Sequence, residues 1–157
     1  MQKESTTTLS KPSPTPGVFE PRVLIIACNW CSYAGADLAG TSRLKMPPNF
    51  RVVRVMCSGR VDVLMPLLAL ARGADGVMIS GCHPGDCHYQ DGNYRTQART
   101  ALLHRLLDDF GVDQRRLRLE WISAAEGRKF AAVMDEFTEQ LREMGPLRLA
   151  AREMING

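Results

Sequence analysis

No stretch of this chain approaches the roughly 18 consecutive apolar residues that a membrane-spanning helix needs. The opening MQKESTTTLSKPSPTPG also lacks the apolar segment of a secretion signal. These two absences predict a cytoplasmic protein with no membrane span, in a compartment where thiols stay reduced. The formal charge of +3 comes from Lys and Arg spread along the chain, without a basic block or a ladder of aromatics. Nucleic-acid binding is therefore not expected. Also missing are the G-x-G-x-x-G dinucleotide fingerprint, the phosphate-binding P-loop and a serine–histidine nucleophile motif. Apart from its cysteines the chain shows no substrate-binding constellation, so it does not read as a complete enzyme.

What is present is ordinary globular material. The 157 residues are 45% apolar and 24% charged, enough for one domain with a real core. Residues 1–20 are rich in Ser, Thr and Pro and read as a disordered tail. Residues 21–145 form the domain, and 146–157 read as a tail or one more short helix. The continuous run Arg22–Ala27 (RVLIIA) predicts a strand buried on both faces. Further strands are expected at Val52–Met56, Gly76–Ser80 and Leu117–Ile122. Between them, helices are expected over SYAGADLAGTSRL, over Arg60–Arg72 with Gly73 as its stop, and over Tyr94–Phe110 before Gly111. Pro66 requires the second helix either to kink or to begin near Met65. Ser123 is the candidate cap for a long helix, Ala124–Met144. Strands alternating with helices imply right-handed crossovers and an α/β fold. A parallel sheet of about four strands, flanked by helices, would make a flavodoxin-like or Rossmann-like three-layer sandwich.

All five cysteines fall where such strands end. Cys28 and Cys31 (ACNWCSY) follow the first strand, Cys57 (VMCSGR) the second, and Cys82 with Cys87 (GCHPGDCHY) the third. The carboxyl ends of parallel strands share one edge, where ligands bind in such sheets, so these residues are expected to converge there. Core cysteines, acting as small hydrophobes, would scatter into helix faces and strand middles.

Three chemistries compete for the cluster. The C-x-x-C between a strand and a helix resembles a thiol–disulfide redox motif, but that leaves Cys57, Cys82 and Cys87 idle. A structural zinc accepts four thiolates, usually from two C-x₂₋₄-C pairs, and here one cysteine stands alone. An iron–sulfur cluster fits better: plant-type [2Fe–2S] proteins use C-x₄-C and C-x₂-C loops with a further distant cysteine, and this chain has those loop sizes in another order. Gly35, Gly59, Gly81 and Gly85 beside the cysteines permit close backbone approach. His83 and His88 are expected to hydrogen-bond nearby or face a partner, and Asp86 and Asn93 to stabilise turns. Trp30 and Tyr33 read either as a shield over the cluster or as core.

Taken together, CNWCSYAGADLAG, RVMCSGRVD, GADGV, GCHPGDCHY-x-x-GNY and LEWISAAEGRKF resemble the delta subunit of methyl-viologen-reducing hydrogenase, from about Val23 to Gly145. The resemblance implies an electron-transfer subunit with one [2Fe–2S] cluster. Its partners would be a hydrogenase or a formate dehydrogenase on one side, and on the other the flavin-bearing subunit of heterodisulfide reductase, where electrons are bifurcated. The family's cysteines match Cys28, Cys31, Cys57, Cys82 and Cys87. Some members read CCNWC where this chain has Ala27, which removes none of the five. Four ligand positions leave one thiol over. Cys28, Cys57 and Cys82 directly follow strands, so the spare is Cys31 or Cys87, with Cys87 favoured. His83, Asp86, His88 and Tyr89 would ring one docking face, and the long C-terminal helix could supply another. A zinc-stabilised adaptor in the same complex and a C-x-x-C oxidoreductase are the alternatives.

Overall fold

The computed structural model describes residues 17–149. Four strands form one sheet: β1 (Val23–Cys28), β2 (Phe50–Val55), β3 (Gly76–Gly81) and β4 (Leu117–Trp121). The helices are α1 (Ser32–Thr41), α2 (Leu64–Ala71), α3 (Gly92–Asp109) and α4 (Gly127–Met144). The strand order is β2-β1-β3-β4 and every pairing is parallel. After β2 the chain crosses over β1 to reach β3, so the order reverses between β1 and β3. Ligand crevices form at such switch points.

Alternation along the central strands divides the core. Ile25 and Ala27 of β1 and Met78 of β3 pack with Ala39 of α1 and with Phe130, Met134 and Phe137 of α4. Ile26, Val77 and Ile79 face the other way, onto Leu70 of α2 and Leu103 and Leu107 of α3. The result is the expected three-layer α/β sandwich, with β3 buried at all six positions. No helix among the described residues is long and apolar enough to cross a membrane.

The strands and helices lie close to their expected places. The Pro66 ambiguity resolves as a separate 3-10 turn, Ser58–Arg60, followed by α2 from Leu64 with Pro66 in its first turn. There the missing N–H costs no helical hydrogen bond. Gly73 ends that unit at φ +123°. α4 differs from expectation. Ser123 does not cap it; residues 123–126 make a turn in which Glu126 N donates to Ser123 O, and α4 starts at Gly127. A Cβ at Gly127 would lie 2.9 Å from Ala39 N, so the close approach of α4 to α1 sets that start.

The domain's contacts extend beyond 21–145. Arg142 donates to Glu20, and Leu147 is buried, its N–H donating to Asp75. The tail expected at the N-terminus lies, for residues 1–16, outside the described residues. The same is true of residues 150–157 of the expected C-terminal tail or short helix.

Candidate metal centre

The carboxyl edge of the sheet gathers the cysteines in two groups. Cys28, Cys31 and Cys82 have sulfurs all within 4.8 Å of one another, and all three residues are buried. Cys28 Sγ and Cys82 Sγ stand 3.8 Å apart, across the switch point between β1 and β3. Cys57 Sγ and Cys87 Sγ stand 3.9 Å apart. Cys28 Sγ also lies 3.8 Å from the carbonyl of Met56, the residue before Cys57, so the two groups are neighbours.

Local chain geometry explains how five residues from three loops meet. Cys28 closes β1, and Ser32 at the start of α1 accepts from Cys28 N while donating to Ser80 O. One hydroxyl thereby ties the first cysteine loop to β3. Asn93, 1% exposed, donates to the carbonyls of Cys82 and His83 and fixes the second loop from α3. Thr96 donates to Ser58. Arg99 donates to Gly59 O and Val61 O, holding the Cys57 loop to the same helix. A Cβ on Gly59 would lie 2.8 Å from Gly92 Cα, and one on Gly92 would collide with Cys57 Sγ and come within 3.1 Å of Cys87 Sγ. Glycine at both positions lets α3 begin against the sulfur pair.

The sulfurs receive backbone N–H groups. Cys57 accepts from Gly59 N at 3.4 Å, and the backbone amides of Trp30 and Ser58 beside Cys28, and of His88 beside Cys82, favour the thiolates there. The hydrogen bond from the Cys31 thiol, with help from these amides, lowers the Cys28 thiol to about 5 against the opposing effect of burial. Cys31 moves the other way, pushed up by the Cys28 and Cys82 sulfurs and by burial. Burial, with the nearby Cys87, raises Cys57 to about 11, and burial likewise raises Cys82. Five thiols, amide donors aimed at sulfur and a cradle that a Cβ would fill suit an anionic metal–thiolate group. Gathered thiols of this kind resist sharing negative charge until a cation binds among them.

Two clefts open onto this edge. One of about 290 Å³ is lined by Trp30, Cys31, Cys82, His83, Asp86 and Ser123. The other, about 460 Å³, is lined by Met56, Cys57, Arg60, Tyr89, Gly92 and Arg95. Between them Trp30 stacks on His88, with ring centroids 3.9 Å apart, and donates to Tyr89 Oη. Trp30 is 44% exposed, so it roofs the loops and is not core; Tyr33 packs against the core with Arg54 over its ring. His83 Nε2–H donates to Glu126 at 2.6 Å, and Ser123 N donates to the same carboxylate oxygen. Asn93 has the loop-stabilising part expected of it. Ser32, Gly92, Arg99 and Glu126 were not legible as parts of the site. Their partners are 40 to 48 residues away in three cases, and Gly92 offered only the general signal of a glycine before a helix.

A family model described as the methyl-viologen-reducing hydrogenase delta subunit matches residues 23–145. Among curated proteins, the chain is 53% identical over 130 residues to an iron-sulfur subunit of the F420-non-reducing hydrogenase of Archaeoglobus profundus, covering 83% of this chain and 95% of that one. It is 49% identical over 131 residues to the vhc iron-sulfur subunit of the F420-non-reducing hydrogenase of Methanococcus voltae, covering 83% and 91%. It is also 47% identical over 127 residues to part of a ferredoxin/F(420)H(2)-dependent CoB-CoM heterodisulfide reductase of Methanosarcina acetivorans. That match covers 81% of this chain but 16% of the much longer reductase polypeptide.

Proposed function

The chain belongs to the methyl-viologen-reducing hydrogenase delta subunit family, and from that premise we propose that it is an electron relay holding one [2Fe–2S] cluster. Four of Cys28, Cys31, Cys57, Cys82 and Cys87 would hold the cluster. The observation that carries this reading is the meeting of all five thiols, with amide donors, at the switch point of a parallel sheet. When bound, such a group supplies reversible one-electron chemistry, and all-thiolate ligation suits a low potential, roughly −400 mV in plant-type proteins.

The chain's own residues do the rest. Amides of Trp30, Ser58, Gly59 and His88 stabilise negative sulfur. The Trp30–His88 stack roofs the edge against water. The clefts on either side of that stack give a donor and an acceptor separate approaches. In our reading the donor belongs to a hydrogenase or formate dehydrogenase. The acceptor is the flavin-bearing subunit of heterodisulfide reductase, and all of them work in the cytoplasm. A region 47% identical to this chain, lying within a longer polypeptide named as a heterodisulfide reductase, supports the second partner. Dithiol exchange at Cys28 and Cys31 fits less well, since both are buried, at 1% and 6% exposure, and it would leave Cys57, Cys82 and Cys87 without a part.

The relay is tested by omission. Hydrogen- or formate-driven reduction of the partner flavin should stop when this chain is left out and return when the loaded chain is added back. Undiminished flavin reduction in its absence would refute the relay.

A further inference from the structure

Four ligand positions and five thiols leave one residue over, and two sulfur separations, together with the packing of the loops, bear on which. Thiolates placed tetrahedrally about one metal, with metal–sulfur bonds of about 2.3 Å, sit about 3.8 Å from each other. Cys28 Sγ and Cys82 Sγ are 3.8 Å apart. Cys57 Sγ and Cys87 Sγ are 3.9 Å apart. All-cysteine [2Fe–2S] clusters take four thiolates, two for each iron. We infer that Cys28 with Cys82 grips one iron and Cys57 with Cys87 the other, while Cys31 is a buried thiol that positions and tunes the first pair without binding metal. The inference rests on the relay reading above.

Further contacts support this division. Gly92 leaves room for Cys57 and Cys87 together, since a Cβ there would strike the first sulfur and crowd the second. A thiol with no ligand duty would not require that cradle. His88, the residue after Cys87, lines the same cleft as Cys82, so the loop that carries Cys87 lies beside the other pair. Cys31 stands at the N-cap of α1 but makes no side-chain capping bond there. Its sulfur is instead within 4.8 Å of both Cys28 and Cys82. A thiol donating to ligand sulfurs withdraws negative charge from them and so raises a cluster's potential. Reading by strand ends favoured Cys87 as the spare. Distance from a strand does not measure rigidity here, because α3 holds the Cys87 loop through Asn93 and Gly92.

The test uses the full chain, purified without oxygen, as wild type, Cys31→Ala, Cys87→Ala, Cys31→Ser and Cys87→Ser. Iron, sulfide, the reduced EPR spectrum and the midpoint potential are measured for each. Cys31→Ala should keep wild-type iron and EPR line shape with a more negative midpoint, and Cys87→Ala should lose most of its iron. Should Cys87→Ala fail to fold by circular dichroism, the serine pair decides. Oxygen ligation would alter the visible bands and g-values of Cys87→Ser, or its iron would be lost, while the Cys31→Ser spectrum would stay unchanged. Loss of iron from Cys31→Ala, or a wild-type spectrum in either Cys87 variant, would overturn the assignment. A wild-type chain without iron would instead refute the relay reading itself.

Discussion

Glu126 binds the turn before α4 to the second cysteine loop with one carboxylate oxygen, which accepts from Ser123 N and His83 Nε2. The Ser123 amide, seconded by His83, lowers its carboxyl from 4.5 to about 2. A carboxyl depressed on folding stabilises the folded chain at pH values above its unfolded pKa, and that contribution disappears as pH falls through the folded one. The melting temperature of the metal-free chain should therefore exceed that of Glu126→Gln by a constant margin above about pH 5. Between pH 4.5 and about 2 the margin should shrink. A margin unchanged across that window would show that the Glu126 charge does not brace the loop. None of this was legible in the sequence, because His83 and Glu126 are 43 residues apart and nothing local marks them as partners.

At the scale of elements, α3 organises the site: its first turn supplies Gly92 and Asn93, and its second supplies Thr96 and Arg99. Gly92→Ala should lower iron retention several-fold while leaving far-UV circular dichroism unchanged, since the new methyl meets Cys57 Sγ outside the main core. Full iron loading would show that α3 need not press so closely on the cysteines. Gly76→Ala at the start of β3 should act oppositely, because its Cβ would collide with Leu141 and lie 2.9 Å from Phe137. Such overpacking costs roughly 1–3 kcal/mol, which urea denaturation would detect as a lower midpoint. An unchanged midpoint would mean that α4 can shift to make room.

The elements themselves were legible because apolar runs such as VLIIAC and GVMISG are buried on both faces, as their composition requires. The meeting of the cysteines was legible for the same reason, since it follows from strand ends alone. What spacing could not carry was how the thiols divide into a triad and a pair. That depends on loop packing against α3, as does the Trp30–His88 roof. The start of α4 was missed because a contact with Ala39 of α1 sets it, not the capping chemistry of Ser123.

At the scale of the whole molecule, the β2-β1-β3-β4 order puts one switch point in the sheet, and the cysteines gather along the edge where it lies. The rim carries Trp30, Met56 and Tyr89, which are 44%, 55% and 46% exposed, the kinds of side chain enriched at protein interfaces. Trp30→Ala and Tyr89→Ala should slow electron delivery to the proposed flavin-bearing partner while leaving iron content unchanged. Equal rates in stopped-flow flavin reduction would place the docking surface elsewhere. Whether this edge holds a redox cluster is read from its metal content. Protein purified anaerobically should contain about two irons and two sulfides per chain, and a spin-half EPR signal should appear on reduction with dithionite. About one zinc per chain with no reduced signal would contradict the account and leave a zinc-stabilised adaptor.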